Sequence, residues 1–228
     1  MTTAKINAKQ FRDPRWRISN LYWIVDEKGR RSLFKPRDGQ IEFLDSLHGR
    51  DIILKCRQIG FTTLFGIVSL DECVWNSDWS AAIIADTQAN ARAILKNKVK
   101  YPFDNLPDSI KSKVKAVNDA ADTLALSNGS SLVVTSSARS GTFQRLHVSE
   151  LGKIAARNPG KAEEIKSGSF PAAANGHISV ESTAEGQQGL FFDMTQRSKQ
   201  KTESGAKLSN LDFKIHFFPW WQTPRCRL

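Results

Sequence analysis

The segment from Ile52 to Thr63, IILKCRQIGFTT, constrains the fold of this chain more than any other. It predicts a hydrophobic strand, a short polar loop with one glycine, and a helix that opens on two hydroxyl residues. Such a loop can hold a phosphate group, because its backbone N–H groups and the helix N-terminus face the anion. An ordinary strand-to-helix turn has the same parts, so the interpretation depends on the rest of the chain.

The loop fits the common phosphate-binding pattern G-x-x-x-x-G-K-[ST] only in part. Gly60 takes the second glycine position and Thr62 the hydroxyl position. Lys55 stands at the first glycine position and Phe61 at the lysine position. Lys55 or Arg57, at the start of the loop, must therefore supply the cation for the β- and γ-phosphates. Either side chain could reach back over so short a loop, and the Thr62 hydroxyl is placed to bind Mg²⁺.

Beyond residue 45, short apolar runs alternate with helical patterns. Strands are predicted at 51–55, 80–85, 146–149, 177–182 and 211–218, helices at 62–75, 87–98, 161–167 and 189–199, a hairpin at 123–126 with 131–135, and a polar loop at 198–210. This alternation is typical of an α/β fold, with a mostly parallel sheet and helices on both faces. Residues 1–45 are instead basic and aromatic, and Ile41, Leu44 and Leu47 predict a short amphipathic helix there. We predict a small N-terminal appendage over 1–45 and one α/β domain over 46–228.

A carboxylate follows the strand predicted at 146–149. Ser149 and Glu150 fall at its carboxyl end, the edge at which open α/β sheets bind ligands. The usual pair at this place is Asp-Glu, in which Asp holds Mg²⁺ through water and Glu activates the attacking water. Serine replaces that aspartate here, so Ser149 is a candidate water-mediated metal contact, and Glu150 is either the base or a helix-capping carboxylate. Asp86, at another strand end, is a competing carboxylate that we interpret as a helix cap.

Two further segments carry weaker signals. The tract VESTAEG places Ser182 and Thr183 after a strand whose end we expect near the γ-phosphate, where hydroxyl groups can sense whether that phosphate is present. Arg139 and Arg145 lie between the hairpin and the Glu150 strand, and either is a candidate arginine finger acting in cis or across a subunit boundary. A contact with a phosphate backbone or a plain surface charge is the alternative for both arginines.

The run K-x-R-Q-x-G-x-[ST]-[ST] resembles the deviant phosphate loop of viral large terminases, in the style that moves the lysine to the start of the loop and leaves an aromatic residue before the hydroxyl. The h-H-h-S-E run that ends at Glu150 is similar to a recurring variant in that family. Ser182 and Thr183 match its coupling motif, and FFPWW at 217–221 resembles the aromatic stretch that closes its ATPase domain. Gln40 resembles the glutamine that reads adenine in terminase and helicase-like ATPases.

The resemblance implies a P-loop NTPase fold of the ASCE type and a motor that hydrolyses ATP with Mg²⁺ to move DNA. We favour Lys55 for the contact with the γ-phosphate, with Arg57 in support. Glu150 would be the catalytic base, and Ser182 and Thr183 would relay loss of the γ-phosphate. The residues expected around the nucleotide are Gln40, Gln58, Gly60, Phe61, Thr62 and Thr63. The implied partners are double-stranded DNA, a homo-oligomeric ring on a portal protein, and a small terminase subunit, all in the host cytoplasm. The chain ends soon after Trp221, so we expect the family's nuclease domain to be absent and this chain not to cleave DNA.

Charge and composition agree with this interpretation without proving it. The chain carries 33 Lys+Arg against 23 Asp+Glu, a formal net charge of +10, which favours a polyanionic partner. Its three cysteines lack the spacing of a zinc site or a disulfide framework, and no apolar run approaches the length of a membrane span. Two alternatives stay open: a helicase-like DNA translocase or remodelling ATPase, and a catalytically weak P-loop module that binds nucleic acid. The missing loop lysine and the missing aspartate favour the second.

Overall fold

The structure is a computed structural model that describes residues 9–118, 120–139 and 141–222, so residues 1–8 of the predicted appendage and Cys226 lie outside it. Its strands are β1 (Trp23–Val25), β2 (Arg31–Leu33), β3 (Arg50–Lys55), β4 (Ser80–Ile84), β5 (Thr123–Ala125), β6 (Ser131–Thr135), β7 (Arg145–Ser149), β8 (His177–Ser182) and β9 (Lys214–Phe218). Its α-helices are α1 (Pro14–Asn20), α2 (Asp38–Asp45), α3 (Phe61–Trp75), α4 (Gln88–Ile94), α5 (Tyr101–Asp104), α6 (Asp108–Lys111), α7 (Leu151–Arg157), α8 (Pro159–Glu164), α9 (Phe170–Ala172) and α10 (Leu190–Glu203). Two π-helical segments, Leu95–Lys100 and Ile165–Ser169, continue α4 and α8, and 3₁₀ turns cover Gln10–Arg12 and Trp220–Gln222.

Seven strands form one sheet in the order β5-β6-β4-β7-β8-β3-β9. Every neighbouring pair is parallel except β5 with β6 at one edge, which is the predicted hairpin. β8 lies between β3 and β7, so the strand that leads into the loop and the strand that ends before Glu150 are separated by one strand. The prediction of an α/β fold with a mostly parallel sheet is confirmed.

Helices cover both faces of this sheet and bury the central strands, although β7 and β8 carry polar side chains, among them His147 and Glu181, on the side that faces α3. On one face Ile53, Ile83 and Val134 pack with α3 and the helices that follow β4. On the other face Ile52, Val148 and Val180 pack with α7, α8 and α10. The carboxyl ends of β3, β7 and β8 therefore meet at one edge between two helical layers.

The N-terminal segment packs against α3 through a buried ion pair. Arg17 on α1 donates from Nε and Nη2 to the carboxylate of Asp71 at 2.9 and 2.7 Å, and the Tyr22 hydroxyl donates to the same group at 2.8 Å. Ile18 and Phe34 join the hydrophobic core of the first face. Residues 9–45 therefore share a core with the sheet, and the boundary proposed at residue 45 stays a prediction.

Several local predictions were wrong. In α2 the buried side chains are Gln40, Phe43 and Leu44, whereas Ile41 and Leu47 are exposed, because the helix turns its Phe43 side toward α3. A helix, α7, begins directly after Glu150, where none was predicted. The helix predicted at 189–199 continues to Glu203, so the first residues of the predicted polar loop at 198–210 are helical. In the part of the chain that the structure describes, no helix has the length and apolar character needed to cross a bilayer.

Candidate active site

The loop between β3 and α3 has a constrained backbone. Gln58 has φ 61° and Gly60 has φ 80°, both in the left-handed region, and Gly60 is the N-cap of α3. A Cβ on Gly60 would lie 3.1 Å from Nε2 of Gln40, so glycine satisfies both the backbone conformation and the close packing. The first N–H groups of α3 have no partner within the helix, and they start at this loop. The predicted strand–loop–helix geometry is present.

Lys55 ends β3 and lies at the centre of the site. Its Nζ is 3.0 Å from Oε1 of Glu150 and 2.9 Å from Oε2 of Glu181. Burial lowers the pKa of Lys55, but attraction to Glu181 and Glu150 outweighs burial and raises that pKa above its ordinary value. The lysine is therefore a buried cation at the end of the loop strand, next to the carboxylate predicted as the base.

Glu181 is a site residue that the sequence analysis did not single out. It lies on β8, is fully buried, and accepts hydrogen bonds at Oε1 from Ser149 (2.8 Å) and Thr62 (3.1 Å). Burial raises its pKa, but contacts with His147 and Lys55 outweigh burial and hold the pKa at about 2. The signal in the sequence was an acidic residue within a predicted central strand of the sheet, where a buried carboxylate requires charged or polar partners.

Glu150 follows β7 and is the N-cap of α7, with φ 59° and ψ 44°. A left-handed conformation is unfavourable for glutamate, so the surrounding structure must hold it in place. The Glu150 side chain remains partly exposed, with Oε1 near Lys55 and Oε2 3.5 Å from the Ser182 hydroxyl. Gly152 permits this approach, because a Cβ there would lie 2.7 Å from the Ser182 oxygen.

The Phe61 side chain, at the first position of α3, faces the core. Its side chain is 1% exposed and packs among Phe43, Phe65 and Phe218, with ring centroids 5.2 to 6.2 Å apart. Because the ring faces the core, the predicted place of Phe61 around the nucleotide involves its backbone at the loop, and this role stays a prediction. Lys55 reaches the site from the other end of the loop.

Gln40 supports the loop with both ends of its amide. Oε1 accepts from the Arg37 N–H at 2.9 Å, and Nε2 donates to the Ile59 carbonyl at 3.2 Å. Arg37 in turn donates to the Gln58 carbonyl at 3.1 Å and pairs with Glu27 at 2.6 Å. The amide is thus engaged within the protein, and a role in reading adenine stays a prediction.

The two candidate arginine fingers differ in position. Arg145 begins β7, at the edge opposite Glu150, where it is buried and pairs with Glu72 of α3. A five-residue strand places its two ends roughly 13 Å apart, so Arg145 cannot reach a phosphate at the Glu150 edge of its own site, nor one in a neighbouring subunit while buried. Arg139 is exposed and pairs with Glu164. Of the two, only Arg139 lies on the surface.

The remaining predicted residues lie around this edge. Arg57 and Gln58 are exposed on the loop, Thr62 and Thr63 are half-buried in the first turn of α3, and Thr183 donates to Glu185 at 3.2 Å. Beside Thr62, Ser149 and Glu150 lies a cleft of about 290 Å³, whose far wall carries Asp86, Asn90, Lys98 and Lys153. Asp86 pairs with Lys153, and the Thr87 side chain caps α4 instead.

The site's chemistry fits Mg²⁺ bound together with phosphates. Among the described residues, no group of three or more His, Cys, Asp or Glu side chains forms a metal site by itself. The oxygen donors at the loop are the Thr62 hydroxyl, the Ser149 hydroxyl and the Glu181 carboxylate, which lie within 3.3 Å of one another. Mg²⁺ prefers oxygen ligands and commonly takes few from the protein and the rest from substrate phosphates and water.

The fold is that of solved terminase domains. The ATPase domain of the large terminase of Thermus phage P74-26 superposes with a TM-score of 0.63 at 17% identity, over 82% of each chain. A variant of that domain, with one arginine replaced by alanine, superposes with a TM-score of 0.64 at 18% sequence identity, over 83% of each chain. The large terminase of bacteriophage HK97 superposes with a TM-score of 0.61 at 15% sequence identity, over 91% of this chain and 43% of the HK97 chain. No family model matches the sequence, and no curated protein matches it. The chain has the α/β P-loop fold of large terminase ATPase domains, which confirms the predicted fold class.

Proposed function

We propose that this chain is the ATP-hydrolysing part of a viral DNA-packaging motor and that it couples hydrolysis to movement of double-stranded DNA. The observation that carries the proposal is the arrangement of Lys55, Glu150 and Thr62 at the carboxyl edge of the sheet, beside the helix N-terminus and in the fold of large terminase ATPase domains. A buried lysine, a partly exposed carboxylate and a hydroxyl at one loop are the groups that phosphoryl transfer to water needs.

Each residue has a distinct task in this proposal. Lys55 and the N–H groups that begin α3 hold the β- and γ-phosphates, with Arg57 in support, and Thr62 would hold Mg²⁺. Glu150 accepts a proton from the water that attacks the γ-phosphorus, while the bond to the ADP oxygen breaks. Mg²⁺, when bound, neutralises charge on the phosphate oxygens. Because Lys55 is bound by two carboxylates here, phosphates would compete with Glu150 and Glu181 for its Nζ.

The coupling step is proposed for Ser182. Ser182 is the last residue of β8, the strand that carries Glu181, and its hydroxyl lies 3.5 Å from Oε2 of Glu150. A change in the position of Glu150 on loss of the γ-phosphate would therefore alter its contact with Ser182 first, and would then shift the adjacent Thr183. Arg139 could complete a neighbouring site in a ring, where it would have to leave Glu164. The net charge of +10 supports DNA as the polyanion that moves.

The test is phosphate release from ATP with Mg²⁺, for wild type, Lys55→Ala and Glu150→Gln, with and without double-stranded DNA. Exposed residues at and after the end of α10 provide matched controls, Lys207→Ala and Glu203→Gln. We expect Glu150→Gln to bind nucleotide and to lose turnover by about 10²- to 10⁴-fold, the usual contribution of a general base. We expect Lys55→Ala to lose nucleotide affinity, and both controls to behave as wild type.

The outcomes separate the alternatives. Turnover that DNA stimulates and that both site variants lose supports the motor. Full turnover in Glu150→Gln would remove that residue from the role of base. Nucleotide binding without turnover by wild type, even with DNA, would favour a catalytically weak nucleic-acid-binding module. Unwinding of a short duplex would favour a helicase-like translocase, and absence of nucleotide binding would refute the proposal.

A further inference from the structure

The buried carboxylate of Glu181 occupies a place where the neighbouring strand lacks one. Ser149 ends β7, where P-loop ATPases usually carry an aspartate that helps to hold Mg²⁺. In the parallel pairing of β7 with β8, Ser149 stands directly beside Glu181. The Ser149 hydroxyl donates to Oε1 of Glu181 at 2.8 Å. The negative charge therefore lies on the neighbouring strand, within hydrogen-bond distance of the position that the aspartate usually takes.

We propose that Glu181 supplies the acidic charge that Ser149 lacks, and that it positions the Thr62 hydroxyl for Mg²⁺ in the Mg²⁺–nucleotide complex. This inference rests on the proposed function, because it assumes that the site binds nucleotide. Glu181 is a positioning residue in this scheme, acting through Thr62 and Ser149.

The hydrogen-bond pattern supports this role. A hydroxyl oxygen that binds a cation through a lone pair must direct its hydrogen elsewhere, to an acceptor. Oε1 of Glu181 accepts from Thr62 at 3.1 Å and from Ser149 at 2.8 Å, which turns the lone pairs of both hydroxyl oxygens away from Glu181. The two hydroxyl oxygens are 3.3 Å apart, and both residues line the cleft beside Glu150. The carboxylate thus orients two neutral oxygens toward the space that a hydrated cation would fill.

The simpler alternative is that Glu181 serves only as the counterion of Lys55, whose Nζ lies 2.9 Å from Oε2. Lys55 already has Glu150 at 3.0 Å, so it keeps one counterion when Glu181 is neutralised. The Oε1 contacts, in contrast, involve only hydroxyl groups at hydrogen-bond distance and add nothing to the neutralisation of Lys55. The two roles therefore predict different responses to Mg²⁺.

The experiment measures ADP binding by isothermal titration over a range of Mg²⁺ concentrations, which avoids any dependence on turnover. The variants are Glu181→Gln, which removes the charge and keeps the shape, and the exchange Ser149→Asp with Glu181→Ser, which moves the carboxylate to β7. Glu150→Gln is the comparison variant, because it neutralises the other counterion of Lys55 and leaves the Thr62 and Ser149 contacts of Glu181 intact. Glu203→Gln, at an exposed position at the end of α10, is the control. Circular dichroism establishes that each variant is folded.

We expect Glu181→Gln to weaken the apparent Mg²⁺ affinity of the ADP complex by about 10- to 100-fold, the usual effect of removing a partner that orients a metal ligand. Binding of ADP without Mg²⁺ should not weaken, because Lys55 loses one of the two carboxylates that compete with phosphate. The loss of Mg²⁺ affinity in Glu150→Gln should be smaller than in Glu181→Gln, and the exchange variant and Glu203→Gln should keep the wild-type Mg²⁺ dependence.

Wild-type Mg²⁺ dependence in folded Glu181→Gln, or an equal loss in Glu150→Gln, would overturn the inference and leave Glu181 as a counterion. If Glu181→Gln does not fold, the exchange variant decides: wild-type Mg²⁺ dependence supports the inference, and its loss refutes it. Failure of the wild-type chain to bind ADP at any Mg²⁺ concentration would instead refute the proposed function.

Discussion

Truncation of Phe61 to alanine separates a core role from a ligand role at the position where a phosphate loop usually carries lysine. The side chain is 1% exposed and packs against Phe43 and Phe218 with ring centroids 5.4 and 5.2 Å away. Removing a buried phenylalanine ring costs about 3–5 kcal/mol, from lost burial and from the cavity that remains. At this chain length each kcal/mol lowers the melting temperature by roughly 2–4 °C, so the shift should be roughly 6–20 °C.

The assay is equilibrium unfolding in guanidinium chloride, followed by tryptophan fluorescence and by far-ultraviolet circular dichroism. Coincident transitions from the two probes establish that a single free energy of unfolding is meaningful. Phe61→Leu keeps most of the apolar volume and should cost less than about 2 kcal/mol. Phe217→Ala is the matched control, because Phe217 is 52% exposed on β9, and it should cost less than about 1 kcal/mol.

The nucleotide affinity of the folded variant completes the prediction. A side chain that faces the core should leave ADP affinity near that of wild type once the unfolded fraction is accounted for. A loss of stability below about 1 kcal/mol with a large loss of affinity would contradict the core role, and so would equal destabilisation by Phe61→Ala and Phe217→Ala.

Three other perturbations follow from contacts in the structure. Asp71→Ala should lower the free energy of unfolding by about 3–5 kcal/mol, because Arg17 would stay buried without its counterion. Asp45→Ala breaks an exposed ion pair and should cost less than about 1 kcal/mol. Denaturant unfolding of both variants measures the two losses. Gln40→Ala should cost roughly 1–2 kcal/mol through the loss of two hydrogen bonds, measured by denaturant unfolding. In competition binding, a lost preference for ATP over GTP would support the predicted adenine contact, and an unchanged preference would leave the amide as a support of the loop. The pKa of Glu181 is lowered to about 2, so the stabilisation that this carboxylate contributes is present above its ordinary pKa and is lost as the pH falls toward 2. The difference in free energy of unfolding between wild type and Glu181→Gln should therefore shrink between pH 5 and pH 3. A difference that stays constant over this range would contradict the prediction.

The sheet and the loop could be predicted because their sequence patterns are local. The centres of β3 and β4 are continuous apolar runs, β7 and β8 have apolar residues at alternate positions, and Gly60 with the two threonines at 62 and 63 marks the start of α3. The loop's approximate match was enough to place Lys55 and Thr62 together at the end of β3. Glu150 was placed beside them because strand ends meet at one edge of a parallel sheet.

Glu181 could not be assigned in the same way, because its role depends on the register between two strands that are far apart in sequence. Ser149 and Glu181 become neighbours only when β7 and β8 pair in the observed register. The direction of the Phe61 side chain likewise follows from packing against β9 and α2, which the loop sequence does not encode. Arg145 and Glu150 are close in sequence, yet a strand separates them by its whole length.

Arg37 joins the phosphate loop to the N-terminal hairpin, since it donates to the Gln58 carbonyl and pairs with Glu27 in the turn between β1 and β2. A chain trimmed to begin at residue 46 would lose this brace, the Gln40 contact and the Arg17 ion pair together. We therefore expect a stable fragment that keeps the conformation of the loop to begin before α1. The N-terminal segment is also connected to the loop through Arg37. A partner that displaces Glu27 in the β1–β2 turn would therefore free Arg37 to change its contact with the Gln58 carbonyl.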